Sequence, residues 1–154
     1  MTDPENTMIL ETTKGRVVIE MRPELAPGHV ARIKELVRQG FYDGIVFHRV
    51  IDGFMAQTGC PRGDGRGGSG QKLRAEFNRE PHVRGTVSMA RAQDHDSGDS
   101  QFFICFDDAR SLDNEYTVWG RVTEGMENVD KIKRGEPVQN PDKIVSAKMA
   151  ADAA

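Results

Sequence analysis

The feature that most restricts the fold is a series of short apolar runs separated by glycine and proline. The first two runs, residues 8–12 and 16–21, flank a tight turn at Gly15. Because apolar and polar residues alternate along the second run, the pair predicts a β-hairpin. Further strands are predicted at residues 45–50, 54–58, 86–90, 101–106, 117–122 and 143–149. Many short strands with glycine turns are typical of an antiparallel sheet or barrel.

Two isolated helices interrupt this pattern. Pro27 suits the first turn of a helix, and Gly40 suits its C-terminal cap. The apolar stripe between them consists of Val30, Ile33 and Val37. A second stripe consists of Met126, Val129 and Ile132, and Gly135 is a stop signal after it. Strands and helices do not alternate regularly, so the pattern disfavours a doubly wound parallel sheet.

Composition and charge narrow the possible functions. The chain has 154 residues, which suits one domain, and a net charge of −3, so it lacks the basic excess of a nucleic-acid binder. No stretch approaches the roughly 18 apolar residues that a membrane span needs. Residues 1–7 lack the basic and apolar regions of a secretory signal, so we expect a cytoplasmic protein. Cys60 and Cys105 are far apart and form no CxxC, which predicts free thiols.

The most informative segment is FHRVIDGFMAQ, residues 47–57. Alternation along the first predicted strand places Phe47, Arg49 and Ile51 on one side. A turn at Asp52 and Gly53 follows, and the next strand carries Phe54, Met55 and Gln57. Two adjoining strands therefore carry an arginine, an aromatic ring, a thioether and an amide. The alternative interpretation is an edge strand with an exposed arginine.

Two later segments, GTVSMARA and DSQFFICF, carry a resemblance to a known family. Together with FHRVIDGFMAQ, and in the same order, they resemble the three central motifs of the cyclophilins. GFYDGIVFHR and SLDNEYTVWGRVTEGMENVDKI extend the resemblance from about residue 8 to about residue 149. The pattern is most similar to the bacterial cytoplasmic cyclophilins. It implies one domain, residues 1–154, folded as a closed eight-stranded antiparallel β-barrel capped by two α-helices.

The resemblance also implies an activity and a site. Cyclophilins are peptidyl-prolyl cis/trans isomerases that assist protein folding without metal or cofactor. Their partners are proline-containing peptides and unfolded or folding proteins. Carried over by position, Arg49 is the catalytic arginine, and Phe54 and Gln57 act with it. The implied substrate-binding residues are Met55, Ala90, Arg91, Gln101, Phe103, Leu112 and Tyr116. The absence of an obvious extra apolar face favours a monomer.

Three positions depart from the well-known eukaryotic form. Ser111 stands in place of tryptophan, Tyr116 in place of histidine and Arg91 in place of asparagine. The change at Ser111 removes an indole N–H and a large apolar surface at the rim of the groove. We therefore expect weak binding of cyclosporin.

Other interpretations remain open at this point. A groove that grips proline could serve as a binding module without turnover. The glycine-rich segment 63–70 contains GxGxxG, but no strand–helix context for a dinucleotide surrounds it. His95 lies among Asp94, Asp96 and Asp99, which indicates a solvated acidic loop more than a metal site, because no second histidine is at ligand spacing. His48 alternates away from Arg49 and is interpreted as structural.

Overall fold

The computed structural model describes residues 3–152, so the predicted 1–154 domain extends two residues beyond them at each end. The strands are β1 (Thr7–Thr12), β2 (Gly15–Met21), β3 (Arg49–Ile51), β4 (Met55–Thr58), β5 (Thr86–Met89), β6 (Phe102–Cys105), β7 (Val118–Glu124) and β8 (Ile144–Met149). They form one sheet in the order β3-β4-β6-β5-β7-β2-β1-β8. Neighbouring strands are antiparallel, which confirms the predicted mainly-β class with eight antiparallel strands.

The predicted closure of the barrel is wrong: the sheet is curled but open. Among the described residues no ladder joins edge strands β3 and β8. The gap is crossed by the isolated bridges Val46 to Lys143 and Val50 to Gly135 and by single backbone hydrogen bonds such as that from the Val138 N–H to the His48 carbonyl. The sequence predicts residues 45–48 as strand, but in the structure they precede β3 without regular pairing. Across the gap, Pro137 and Pro141 have no N–H to donate. Asn140 has a φ of 50°, a left-handed backbone conformation that interrupts any strand.

The irregular approach to β3 also changes one side-chain assignment. Alternation predicts Phe47 on the same side as Arg49, but Phe47 lies in the main core. Val50 is buried in that core as well, while Arg49 and Ile51 are half-buried on the other face of β3. The alternation therefore holds within β3 and fails before it, because Phe47 is outside the strand.

The first helix is confirmed and the second is shorter than predicted. Helix α1 (Pro27–Arg38) has Pro27 in its first turn and Gly40 beyond its end at a φ of 74°, and it packs against β8. Helix α2 (Met126–Val129) has one turn and contacts β2. After it, the N–H of Ile132 bonds to the carbonyl of Val129, three residues back, so the chain continues as a turn.

Strand β6 is buried on both faces. Phe102 and Ile104 join the main core, where Phe102 meets the Trp119 ring edge-on at 5.3 Å. Phe103 and Cys105, which alternate with them, lie in a second apolar cluster on the opposite face. Side chains alternate between the faces of a strand, so a run of apolar residues here gives the sheet two apolar surfaces. The second surface carries the candidate site.

We predict that Gly125→Ala lowers the free energy of unfolding much more than Gly44→Ala does. Both glycines have a positive φ near 80°, at 85° and 82°, where alanine is strained by about 1–2 kcal/mol. A Cβ at Gly125 would also overlap the carbonyl oxygen of Arg16, whereas a Cβ at Gly44 meets nothing within 4 Å. Urea denaturation of the two variants beside wild type measures the difference. Equal losses of stability would contradict the steric argument.

Candidate active site

Three adjacent strands present one row of side chains to the second apolar surface. On β3 and β4, Arg49 pairs with Gln57, and on β4 and β6, Gln57 pairs with Phe103. Directly opposed residues of antiparallel strands place their side chains on the same face about 4.5–5.5 Å apart. An arginine, an amide and a phenyl ring are thus set side by side by the pairing of β3, β4 and β6 alone.

A cavity of about 220 Å³ opens at this row. It is lined by Arg49, Phe54, Met55, Gln57, Ala90, Arg91, Phe103, Leu112 and Tyr116. These are all the residues predicted from the sequence for the site except Gln101, which lines a neighbouring cavity together with Gln57, Ala90 and Arg91. The structure therefore brings the predicted residues together, although they come from positions 49–57, 90–103 and 112–116 of the chain.

The apolar floor of the cavity is held from behind by a histidine that the sequence did not single out. His82 is fully buried and stacks on Phe103 with ring centroids 6.1 Å apart, while Tyr116 meets Phe103 edge-on at 5.7 Å. The ring nitrogens of His82 lie 3.1 Å from Asp113 Oδ1 and 3.0 Å from Ser88 Oγ. Both ring nitrogens are engaged and one face lies on Phe103, so His82 is held in place and supports the orientation of Phe103.

The polar wall of the cavity is a connected set of side chains. Arg49 donates from Nε to Glu136 Oε1 at 3.0 Å and from Nη1 to Gln57 Oε1 at 3.5 Å. Gln57 donates in turn from Nε2 to Gln101 Oε1 at 2.9 Å. The guanidinium is therefore held from two sides while its side chain stays 41% exposed. Glu136 was missed because it is 87 residues from Arg49 and no local pattern marks it.

Arg91 does not direct its charge into the cavity. Its guanidinium stacks over the Tyr116 ring at 4.5 Å, and its Nε and Nη2 donate to the Glu115 carbonyl at 3.0 and 2.6 Å. The side chain of Arg91 thus braces Tyr116. Ala90 and Arg91 both line the cavity, with the Arg91 guanidinium held against the Tyr116 ring.

The two alternative sites have no supporting geometry. The carboxylates near His95 are engaged separately, with Asp99 accepting from Ser69 and Gly70 and Asp96 accepting from the Ala75 N–H. Within residues 3–152 no group of three potential metal ligands is found. Segment 63–70 is followed by irregular chain, whereas a dinucleotide loop opens a helix.

No helix in the described part of the chain is long and apolar enough to cross a membrane.

We expect three buried histidines to make the stability of this protein depend on pH. Burial, the largest cause, lowers the pKa of His29, His48 and His82. The carboxylates of Glu76 and Asp113 partly oppose this at His29 and His82, whereas the charge of Arg49 adds to it at His48. Below the ordinary histidine pKa of about 6.5, the unfolded chain therefore binds protons that the folded chain does not.

We accordingly predict that the free energy of unfolding falls as the pH is lowered from 7.5 to 5.5, a window above the ordinary carboxyl pKa of about 4. Urea titrations across that range measure the slope. His48→Gln removes one of the three contributors and should flatten the curve. A wild-type curve that is flat over this window would contradict the prediction.

Comparison with known proteins identifies what this arrangement resembles. The family model described as cyclophilin-type peptidyl-prolyl cis-trans isomerase/CLD matches residues 7–149. A probable peptidyl-prolyl cis-trans isomerase of Brucella suis is 54% identical over 167 aligned positions, covering 97% of this chain and 85% of the relative. Peptidyl-prolyl cis-trans isomerase B of Bacillus subtilis is 44% identical over 123 positions, covering 79% of this chain and 85% of the relative.

Solved structures agree with the sequence relatives. A cyclophilin from Hirschia baltica superimposes with a TM-score of 0.92 at 38% identity, covering 99% of this chain and 77% of that one. A cyclophilin-type isomerase of Cryptosporidium parvum, crystallised in the presence of the dipeptide Ala-Pro, gives a TM-score of 0.86 at 25% identity. That match covers 93% of this chain and 98% of the other.

Proposed function

This chain belongs to the cyclophilin-type peptidyl-prolyl cis-trans isomerases, and we propose that Arg49, Phe54 and Gln57 carry out its isomerisation of X–Pro bonds in the cavity described above. The observation that supports these roles is the row of Arg49, Gln57 and Phe103 across three paired strands. It places a fixed cation beside an apolar pocket, which is the combination that this reaction needs.

Rotation about an X–Pro bond breaks no covalent bond, so the site needs no nucleophile. The obstacle is amide resonance, which gives a barrier of about 18–20 kcal/mol. As the bond twists, the proline nitrogen becomes pyramidal and gains a lone pair that can accept a hydrogen bond. A site accelerates the rotation if it binds this twisted form more tightly than either planar form.

Arg49 supplies the donor for that nitrogen. Its guanidinium is always charged and holds five N–H donors in a rigid plane. Glu136 and Gln57 each engage one side of the group, which leaves donors that face the cavity. Because the group is held before the substrate arrives, little reorganisation is needed when the amide twists.

The proline ring is gripped by the apolar part of the cavity. Met55 and Phe103 are almost fully buried, and Phe54 and Leu112 pack against the same cluster. The Ala90 N–H already donates to the Gln101 carbonyl at 2.9 Å, so we propose that the Ala90 carbonyl and the backbone of Arg91 bond to the substrate chain. With the ring held, the chain on the other side of the bond rotates.

The proposed partners are proline-containing peptides and unfolded or folding proteins. The structure of the Cryptosporidium relative, determined in the presence of the dipeptide Ala-Pro, supports the peptide class. We propose one cyclophilin-like domain over residues 1–154 with its core at about 8–149, supported by the family match to 7–149.

Val145 is the one large apolar side chain exposed within residues 3–152, which supports a monomer. The free thiols of Cys60 and Cys105 support a reducing, cytoplasmic location.

We predict that Arg49→Ala lowers kcat/KM by about 10²–10³, the scale for removing one preorganised donor. A protease-coupled X–Pro peptide assay at low temperature measures this, with circular dichroism to show that the variant is folded. Glu136→Gln is the matched control: its amide oxygen can still accept from Arg49 Nε, and only the charge of an exposed ion pair worth at most about 1 kcal/mol is lost, so activity should stay within about fivefold. Normal activity of folded Arg49→Ala would overturn the role of the arginine.

The same variant separates the enzyme from a binding module. If the groove also acts as a chaperone by holding proline-containing chains, that binding depends on the apolar pocket and persists in Arg49→Ala. Suppression of aggregation of an unfolded client should then be retained while isomerisation falls. Loss of both by a folded variant would show that Arg49 serves binding in general.

We propose that cyclosporin binds weakly because Ser111 offers little apolar surface. Ser111 is exposed in the 3-10 helix Arg110–Leu112, beside Leu112 of the cavity. Ser111→Trp should tighten binding about tenfold, since an aromatic contact adds about 0.5–1.5 kcal/mol. Inhibition titrations of wild type, Ser111→Trp and the control Ser111→Ala test this. Inhibition of wild type at nanomolar drug would refute the proposal.

A further inference from the structure

The glycine-rich loop at residues 60–70 is hydrogen-bonded to Gln101, which belongs with Arg49 and Gln57 to the polar wall of the site. Both hydrogens of the Gln101 amide are used by this loop, because Nε2 lies 2.9 Å from the Gly65 carbonyl and 3.0 Å from the Gly67 carbonyl. An amide has two donors on one side and an acceptor on the other. With its donors taken by the loop, Gln101 must present its oxygen to Gln57.

That orientation is passed on to Arg49. Gln57 meets the oxygen of Gln101 with its own Nε2, at 2.9 Å, and so turns its Oε1 toward Arg49 Nη1, at 3.5 Å. If Gln101 flipped, Gln57 would have to flip as well and would present an N–H to the guanidinium, which only donates. The carbonyls of the loop therefore determine whether Arg49 has an acceptor on its cavity side.

The loop is itself tied down by Cys60. Its Sγ accepts the Gly67 N–H at 3.1 Å and lies 3.8 Å from Asp64 Oδ1. Burial tends to raise the pKa of this thiol, but hydrogen bonds from the loop backbone more than offset it and lower the pKa overall. Cys60 is 99% buried and lines neither cavity, so it does not face a ligand in the groove. Its sulfur closes the turn that sets the Gly65 and Gly67 carbonyls.

We propose that Cys60 is a positioning residue for catalysis: through the loop, Gln101 and Gln57, it holds the Arg49 guanidinium in its working orientation. The inference rests on the proposed role of Arg49 as the donor to the proline nitrogen. It gives the glycine-rich segment a function without a nucleotide, since glycines at positive φ, such as Gly63 at 73° and Gly65 at 84°, allow the backbone to wrap around one sulfur atom.

The test compares Cys60→Ala with Cys60→Ser. Alanine removes the acceptor for the Gly67 N–H, whereas a serine oxygen retains it. We expect kcat of Cys60→Ala to fall about ten- to a hundredfold, the scale for misplacing a catalytic group by up to 1 Å, with KM changed less than about twofold. Cys60→Ser should recover most of the loss. Arg62→Gln, which removes an exposed ion pair to Asp64 in the same loop, is the matched control and should match wild type.

A second readout does not depend on activity. Side-chain amide resonances of Gln57 and Gln101 in ¹⁵N NMR spectra should shift in Cys60→Ala and return toward wild type in Cys60→Ser. Unchanged resonances, or unchanged kcat in Cys60→Ala, would overturn the inference. Failure of the proposed function is distinguishable, because it appears as normal activity of Arg49→Ala whatever the Cys60 variants do.

Discussion

The double-sided burial of β6 is the constraint on which the rest of the structure depends. Phe102 and Ile104 anchor the strand in the core, and this fixes Phe103 and Cys105 on the other face. A slip of one residue would move Phe103 and Cys105 into the core and turn Phe102 and Ile104 toward the cavity, where neither pair matches its new surroundings. The register that stabilises the core thus also sets the pairing of Gln57 with Phe103, and through β4 the position of Arg49.

Around that register the site combines two kinds of support. The apolar floor is packed: Phe103 has His82 behind it and Tyr116 at its edge, and Arg91 covers Tyr116. The polar wall is hydrogen-bonded, and each amide in it is oriented by the next. Packing determines where the proline ring lies, and the polar wall determines which way the charge points. The reaction needs both, because the twisted amide is recognised by shape on one side and by a donor on the other.

Much of this follows from the sequence, and the exceptions have physical reasons. Alternation and turn residues suffice for most of the strands, though not at residues 45–48, and the apolar stripe between Pro27 and Gly40 suffices for α1, because each of those signals is local. Closure of the barrel is wrong because it depends on pairing between distant edges, where Pro137, Pro141 and Asn140 interrupt the segment that would have to pair. Glu136 and His82 escape notice for the same reason. Their roles come from contacts with Arg49 and Phe103, which no local pattern reveals.

The gap between β3 and β8 has a consequence for how such a chain can change over evolutionary time. Arg49 lies on the edge strand, and Glu136, its ion-pair partner, belongs to the irregular segment that spans the gap. Insertions and substitutions are tolerated best where no ladder has to be preserved. The residue at position 136, and with it the charge beside Arg49, can therefore change by substitution while the strands that build the proline pocket stay unchanged. One scaffold can in this way diversify its electrostatics separately from its shape.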